Sequence, residues 1–448
     1  MSSGSAALRN WLPGGVRRLA GQARRLPRHA LIGALRTPAG RRGLGLLVDI
    51  SFNPLDPAFH EDPYPFYRRL RERDPVHRSP FGFWVVTRYA DVVAILSDPR
   101  FSHPDYQVEA RRSGPANAFR TLRSTSMIML NPPDHTRLRR LVGEVFTPVF
   151  VAALRPRVQA LADRLLDDIQ SAGKVNLVAA FTVPLPVAVI SEVFAIPFED
   201  GMRCHLSVAE MAAAADFAPS AHARARAQAA ARQLCDYFGG VIRESRPGLA
   251  SGLVEAQRKA GGVSDAEVLA TCVLMFSAGH ETIVGFLGNA IATMLTQPGV
   301  CEALQDEQQV ANVVDELLRY DPPVQLFARQ AKEDAEVGGR LIRRGESVFV
   351  AVAAANRDPE EFPDPDRLDF TRPGAGHDLA FGHGIHACIG RALARLEGQV
   401  VLPTLARRLP SLRLAKPPVR RPTAGLRSVD SLHVAWCAPG RPALLDGG

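Results

Sequence analysis

The 448-residue chain is 46% hydrophobic, with 35 prolines and 36 glycines, enough to bury a large core crossed by many turns and too long for a lone binding module. Its formal charge of +8 is concentrated in residues 1–48, which hold nine arginines, no lysine and no acidic residue; the remainder is nearly neutral and offers no basic stripe, which argues against nucleic acid as a partner. The six cysteines, at 204, 235, 272, 301, 388 and 437, form no C-x-x-C and no close cluster, which disfavours a disulfide framework, a four-cysteine zinc site and an iron–sulfur site and suits a reducing cytoplasm.

Residues 1–48 read as a basic N-terminal extension in which Pro13 and Pro27 limit any amphipathic helix; a loosely docked arm, a membrane-surface contact and a targeting segment are the open readings. From residue 49 the chain reads as a single domain, 49–448. Turns feeding a short helix lead to the strand-like FGFWVVTRY and the helix ADVVAILSDP. Residues 97–130 have little periodicity, and so long a connection predicts a lid or pocket wall. Most of 136–320 reads as helices: FVAALRPRVQALADRLLDDIQ, the Ala-rich 208–246, and 264–297, opened by Ser264 with Glu267 three residues on as a capping box. Residues 335–352 alternate between Gly turns in the manner of a hairpin. No run of 18 purely apolar residues occurs, so no transmembrane span is expected. The fold class is mainly α with a small β part.

Three stretches carry chemistry. In LMFSAGHETIVG, apolar residues surround Ala278, Gly279, His280, Glu281 and Thr282. A glycine costs a helix interior about 1 kcal/mol relative to alanine, and a buried carboxylate needs a partner; either a ligand sits against Gly279 beside a proton path, or Gly279 is a packing contact with the Thr282 hydroxyl bonded to a preceding carbonyl. In VVDELLRYDPP, Glu316 and Arg319 stand at i and i+3 among apolar neighbours, a pair that becomes an anchor of the fold if buried. In FGHGIHACIG, Gly382 and Gly384 permit a turn that approaches a flat cofactor closely, and helical periodicity resumes after Cys388. A thiolate near a helix N-terminus is held ionised and can ligate haem iron; a structural cysteine, a nucleophile and a zinc ligand with His383 and His386 are the competing readings.

Together these stretches are more specific than each alone. The chain from about Phe52 to Trp436 resembles the cytochromes P450, haem-thiolate monooxygenases, of the soluble bacterial kind. The cysteine signature stands as Phe381, Gly382, Gly384, His386, Cys388 and Gly390, the oxygen-activation signature as Ala278, Gly279, Glu281 and Thr282, and the E-x-x-R signature as Glu316 and Arg319, in family order. The resemblance implies a triangular, prism-like helical domain with haem b between distal and proximal helices, Cys388 as iron ligand, Phe381 shielding the sulfur, and His135, Arg139, Arg329 and His386 on the propionates, where charge-assisted hydrogen bonds suit carboxylates. Arg367 is the expected third member of the Glu316 and Arg319 network, ahead of Arg372; Leu368 stands where an aromatic is more usual. Leu274, Val324, Gln325, Leu326 and Val429 are the expected substrate contacts, mostly apolar and suited to a lipophilic molecule such as a terpenoid, steroid, fatty acid or polyketide.

The implied reaction inserts one atom of O2 into a C–H or C=C group and reduces the other to water, with electrons from NAD(P)H. No Gly-rich dinucleotide fingerprint occurs after a strand, so a separate ferredoxin or flavodoxin and its reductase are implied, with Arg137, Arg140 and Arg391 as candidate contacts for an acidic partner. A cytoplasmic monomer active in secondary metabolism is expected. A haem sensor or carrier without turnover, and a peroxygenase driven by hydrogen peroxide, are the alternatives.

Overall fold

The computed structural model describes residues 51–106, 117–217, 219–372, 377–409 and 411–437. The basic extension 1–48 lies outside them, as do residues 107–116 of the expected lid.

Among the described residues the longer helices are α1 (Tyr64–Arg73), α2 (Tyr89–Ser97), α3 (Ala118–Thr125), α4 (Asp134–Val145), α5 (Arg155–Ile169), α6 (Pro184–Phe194), α7 (Phe198–Ala215), α8 (Ala221–Glu244), α9 (Leu249–Ala260), α10 (Asp265–Thr296), α11 (Val310–Tyr320) and α12 (Arg391–Arg408). The run from 150 to 170 is divided at Leu154, ahead of α5. The Ala-rich run from 208 to 246 is divided where α7 ends at Ala215; Ser220 then opens α8 by accepting the Ala223 N–H at 3.0 Å.

Helix α10 is the axis of the fold. Its N-terminus is fixed reciprocally: the Ser264 hydroxyl accepts the Glu267 N–H at 3.3 Å, and the Glu267 carboxylate accepts the Ser264 N–H at 2.8 Å, satisfying donors that a helix start leaves orphaned. Its 32 residues span about 48 Å at 1.5 Å per residue. They are long and apolar enough to cross a membrane, yet 67% of that apolar window is buried inside the protein, as for the core helix of a globular fold. The largest core cluster joins α10 through Phe276, Phe286 and Leu287 to α6 and α8 through Phe194 and Phe238, to α11 through Val313 and Val314, and to α12 through Val401 and Leu405.

The β part is a five-stranded sheet of order β1 (Val76–Arg78), β2 (Trp84–Val86), β8 (Ser347–Val350), β5 (Phe327–Ala331) and β3 (Phe101–Ser102), with smaller sheets elsewhere, one of which holds β4 (Lys174–Asn176). Strand β2 runs parallel to β8, and β5 runs antiparallel to it with Arg329 opposite Val348. The expected hairpin at 335–352 is β6 (Ala335–Val337) paired with β7 (Arg340–Ile342), and its last strand, β8, crosses into the main sheet. Beside this sheet an aromatic cluster packs Phe52, Phe59 and Tyr67 edge to face, with ring centroids 5.5 and 5.4 Å apart.

Candidate active site

The cysteine loop is shaped by backbone demands. Gly382 and Gly384 adopt φ of +69° and +72°, where side chains are strained, and a Cβ at Gly384 would stand 2.3 Å from the Leu96 carbonyl oxygen at the end of α2. The Cys388 N–H donates to the Phe381 carbonyl at 2.8 Å, closing the loop two residues before Gly390, the N-cap of α12. Cys388 is accessible, unlike buried Cys204 and Cys272. Burial of its surroundings pushes its thiol pKa up, against the backbone N–H groups of Gly390 and Arg391 and the nearby Arg139 and Arg391 guanidiniums, which pull it down. The net direction is opposite to the one expected from the helix N-terminus alone.

Around this loop the fold gathers donors from α4, from β5 and from the segment after β3. Arg139 of α4 donates to the Ala387 carbonyl at 2.6 Å. Buried His135 lies one helical turn earlier, its ring 4.2 Å from that of His386. Buried Arg329 of β5 stands 3.4 Å from His103 Nε2 and donates to the Ala328 carbonyl at 2.9 Å. Burial first, and then mutual repulsion with neighbouring cations, lowers the pKa of His386 to about 2 and of His103 to about 3 and depresses that of His135; burial alone lowers Arg329 to about 10. Among the described residues neither Arg139 nor Arg329 has a carboxylate partner, and His135 Nδ1 is buried without any hydrogen bond. Such a pocket of unneutralised donors is costly unless an anionic group enters it.

On α10, Leu274, Ala278 and Thr282 follow one another at four-residue spacing, and Ala278 is exposed in the middle of an otherwise buried helix. The Thr282 hydroxyl donates to the Ala278 carbonyl at 3.0 Å. Gly279 does not face this stripe: a Cβ there would meet Ile190 of α6 at 2.8 Å, so it is a close-packing contact rather than a seat for a ligand. Glu281 also leaves the stripe. It is buried, with Oε1 accepting from Arg421 at 2.5 Å and Oε2 lying 3.6 Å from His205 Nδ1.

Glu316 and Arg319 form a bidentate pair at 2.7 and 2.8 Å, each 1% exposed, and Arg319 also donates to the Asn356 and Pro365 carbonyls. The third member is Arg372, not Arg367. Buried Arg372 reaches Glu316 at 3.4 Å and the Pro363 carbonyl at 2.6 Å, whereas the Arg367 side chain is exposed against Asp369 and only its carbonyl joins the network. Arginines five residues apart in an irregular loop cannot be ranked by periodicity. Of the expected substrate contacts, Leu274 and Val324 retain accessible surface, but Gln325, Leu326 and Val429 are buried against protein: Leu326 packs in the aromatic cluster, and Val429 against Gly288 of α10. Arg137, a candidate partner contact, is occupied by Glu267 at 2.6 Å, while Arg140 and Arg391 are exposed.

The model of the cytochrome P450 family matches residues 242–410. Cytochrome P450 107B1 of Saccharopolyspora erythraea is 38% identical over 379 residues, covering 81% of this chain and 91% of that protein. The chain belongs to the cytochrome P450 family. Cytochrome P450 monooxygenase PikC of Streptomyces venezuelae is 37% identical, over 84% of this chain and 92% of the relative. The solved structure of P450BioI in complex with hexadec-9Z-enoic acid ligated acyl carrier protein superposes with a TM-score of 0.80 at 33% identity, covering 85% of this chain and 99% of that one.

The protein is thus a haem-thiolate monooxygenase of bacterial type that uses haem b and O2 with NAD(P)H-derived electrons delivered by redox partners. The residues present fit the haem: an accessible cysteine lies next to half-buried Arg139, buried Arg329 and the orphaned His135 Nδ1, whose missing counter-charge two propionates would supply. His103 joins this P450 cluster without having been anticipated, because it lies in the aperiodic stretch 97–130; FSHPD shows only a histidine beside a proline, and contact with Arg329 depends on β3 pairing with β5. His205 and Arg421 were missed for the same reason, standing in no motif and meeting Glu281 only through tertiary packing.

Proposed function

We propose that this P450 hydroxylates or epoxidises a lipophilic small molecule of terpenoid, steroid, fatty-acid or polyketide type in bacterial secondary metabolism. The observation that carries this reading is the accessible stripe Leu274–Ala278–Thr282, apolar until it ends on a hydroxyl, centred on exposed Ala278 in a mainly buried helix. A stripe of that kind holds a substrate by its apolar surface and offers one polar group for orienting water. The acyl-carrier-bound fatty acid named for P450BioI supports a long aliphatic substrate as one member of the class. The monomeric chain works in the cytoplasm and takes electrons from a separate ferredoxin or flavodoxin, which meets Arg140 and Arg391 near the cysteine loop.

Haem bound through Cys388 would supply the oxidising chemistry. His135, Arg139, Arg329 and His386 would hold its propionates, and Phe381, stacked by Arg395 at 4.8 Å, would cover the sulfur side. Thr282 can turn its hydroxyl from the Ala278 carbonyl to a water, and Glu281 has Oε2 free to pass a proton while Arg421 holds Oε1.

The substrate class is tested by titrating lipophilic compounds and following the spin-state change of the haem absorption; no response from any of the four classes would sink it. Cys388→Ala removes the thiolate signature of the ferrous carbon-monoxide complex. Thr282→Ala retains haem and substrate binding but lowers product formed per NAD(P)H consumed, and unchanged coupling would take the role from Thr282. Efficient turnover with hydrogen peroxide and no redox partner would favour the peroxygenase reading instead.

A further inference from the structure

Behind the Glu281 side of α10 lies a cluster that shares only Glu281 with the proposed proton path. His205 of α7, and His280 and Glu281 of α10, are all buried and place one ligand atom each within 4.8 Å of one another. The His280 Nδ1–H donates to the Phe276 carbonyl at 2.7 Å, which leaves Nε2 as the lone-pair nitrogen, aimed at His205 Nδ1 3.1 Å away. Glu281 Oε2, 3.6 Å from the same His205 atom, is buried without a hydrogen-bond partner, while its other oxygen is held by Arg421.

These features are those of a metal site. Ligating histidines characteristically donate the second ring N–H to a carbonyl, which fixes the tautomer, as His280 does. Zinc at about 2.0–2.1 Å from nitrogen and carboxylate donors, in tetrahedral geometry, separates them by about 3.3 Å; the two measured separations, 3.1 and 3.6 Å, bracket that value. Burial keeps both imidazoles in the neutral, metal-binding form, His280 at about 4 and His205 also lowered. The surrounding charge permits a dication: Arg421 is shared between Glu281 and Asp430, the latter at 2.8 Å, so two carboxylates face one guanidinium.

We propose that His205, His280 and Glu281 form a binding site for Zn2+ or a similar imidazole-preferring divalent ion, cross-linking α7 to α10 and withdrawing the Glu281 carboxylate from proton transfer. His205 moves its proton to Nε2 and presents Nδ1; the ion takes His205 Nδ1, His280 Nε2 and Glu281 Oε2 and keeps a fourth position for water. Imidazole donors select zinc or cobalt over magnesium and calcium. The binding claim is independent of the catalytic role given to Glu281; only the expected inhibition rests on it.

The test is equilibrium dialysis of tag-free ferric holoenzyme against micromolar ZnCl2, with zinc and haem iron counted by mass spectrometry. Every protein carries Cys437→Ser, because that exposed thiol could bind zinc by itself. One zinc per haem is expected, undiminished by excess Mg2+. His205→Ala should weaken binding by at least about tenfold, and His205→Cys, which restores a ligand, should recover it. No zinc in the parent protein, or equal zinc in His205→Ala, would overturn the site. Saturable loss of NAD(P)H-coupled product with zinc, absent in His205→Ala, supports the inhibitory half. Stoichiometric zinc with unchanged turnover would overturn that half and leave the site standing.

Discussion

Arg372 and Arg367 show how much depends on a few ångströms at a single residue. Removing the Arg372 side chain takes one of its buried donors from Glu316 and the donor from the Pro363 carbonyl, and loss of one partner of a buried ionic network costs about 3–5 kcal/mol, the lower end applying because Arg319 still holds Glu316. Arg367, exposed against Asp369, should cost under about 0.5 kcal/mol when truncated. Midpoints of haem release in urea for Arg372→Ala and Arg367→Ala check this, and equal effects would contradict it. Asp378 gives a pH dependence. Burial raises its carboxyl pKa to about 6, although the Ala380 N–H and Arg395 favour the anion. A carboxyl whose folded pKa lies above its unfolded value binds more protons when folded, so stability falls as pH rises from about 4 to about 6 and is level beyond. Asp378→Asn removes this penalty, at most about 3 kcal/mol for a shift of roughly two units. The variant should unfold at higher urea than the parent at pH 7, the difference vanishing below about pH 4; a difference independent of pH would refute the titration.

At the scale of elements, the cysteine loop is held by the end of a helix far away in sequence. The Gly384 turn fits over the Leu96 carbonyl so closely that a Cβ would overlap it, and its positive φ adds strain. Gly390 has φ −84° and would place a Cβ at an ordinary 3.8 Å from the Cys388 sulfur. Gly384→Ala should therefore give folded protein with little haem, judged by the ratio of Soret to protein absorbance, whereas Gly390→Ala should load haem. Loading by both would show that the loop can slide off α2. Helix α12 shows the same economy of space: a Cβ at Gly398 would lie 2.8 Å from Phe286 and 3.0 Å from Val314. Overpacking of that kind typically costs about 1–3 kcal/mol, against at most about 1 kcal/mol gained in helix propensity, so Gly398→Ala should lower the midpoint of thermal unfolding.

For the whole molecule the unbalanced quantity is charge. Nine arginines precede residue 49 without an acidic residue, while the groups proposed to hold the haem, from His103 to Cys388, all lie between residues 51 and 437. Deleting residues 1–45 should therefore leave the ferrous carbon-monoxide spectrum and haem content unchanged. Sedimentation with anionic vesicles should decline with the arm and with rising salt if the arm contacts a membrane surface, because exposed charges are screened within about 10 Å at 0.1 M salt. A truncated chain that is soluble and folded but free of haem would instead make the segment part of the haem domain.

What the sequence determined by itself was whatever is written in neighbouring residues. The capping box at Ser264 and Glu267, the Glu316 and Arg319 spacing on one face of α11, and the glycines that let the chain turn before Cys388 are local in origin and occur in the structure where they were read. What only the tertiary structure decided was which side of a helix meets which neighbour. Successive residues on α10 point about 100° apart, so Thr282 remains on the accessible stripe while Glu281 turns towards His205 and Arg421, and Gly279 turns into Ile190. Val429 and Leu326, apolar and near the site in sequence order, are claimed by the core for the same reason: burial is decided by the faces that elements present to one another after packing, and no periodicity within a single segment records its partner.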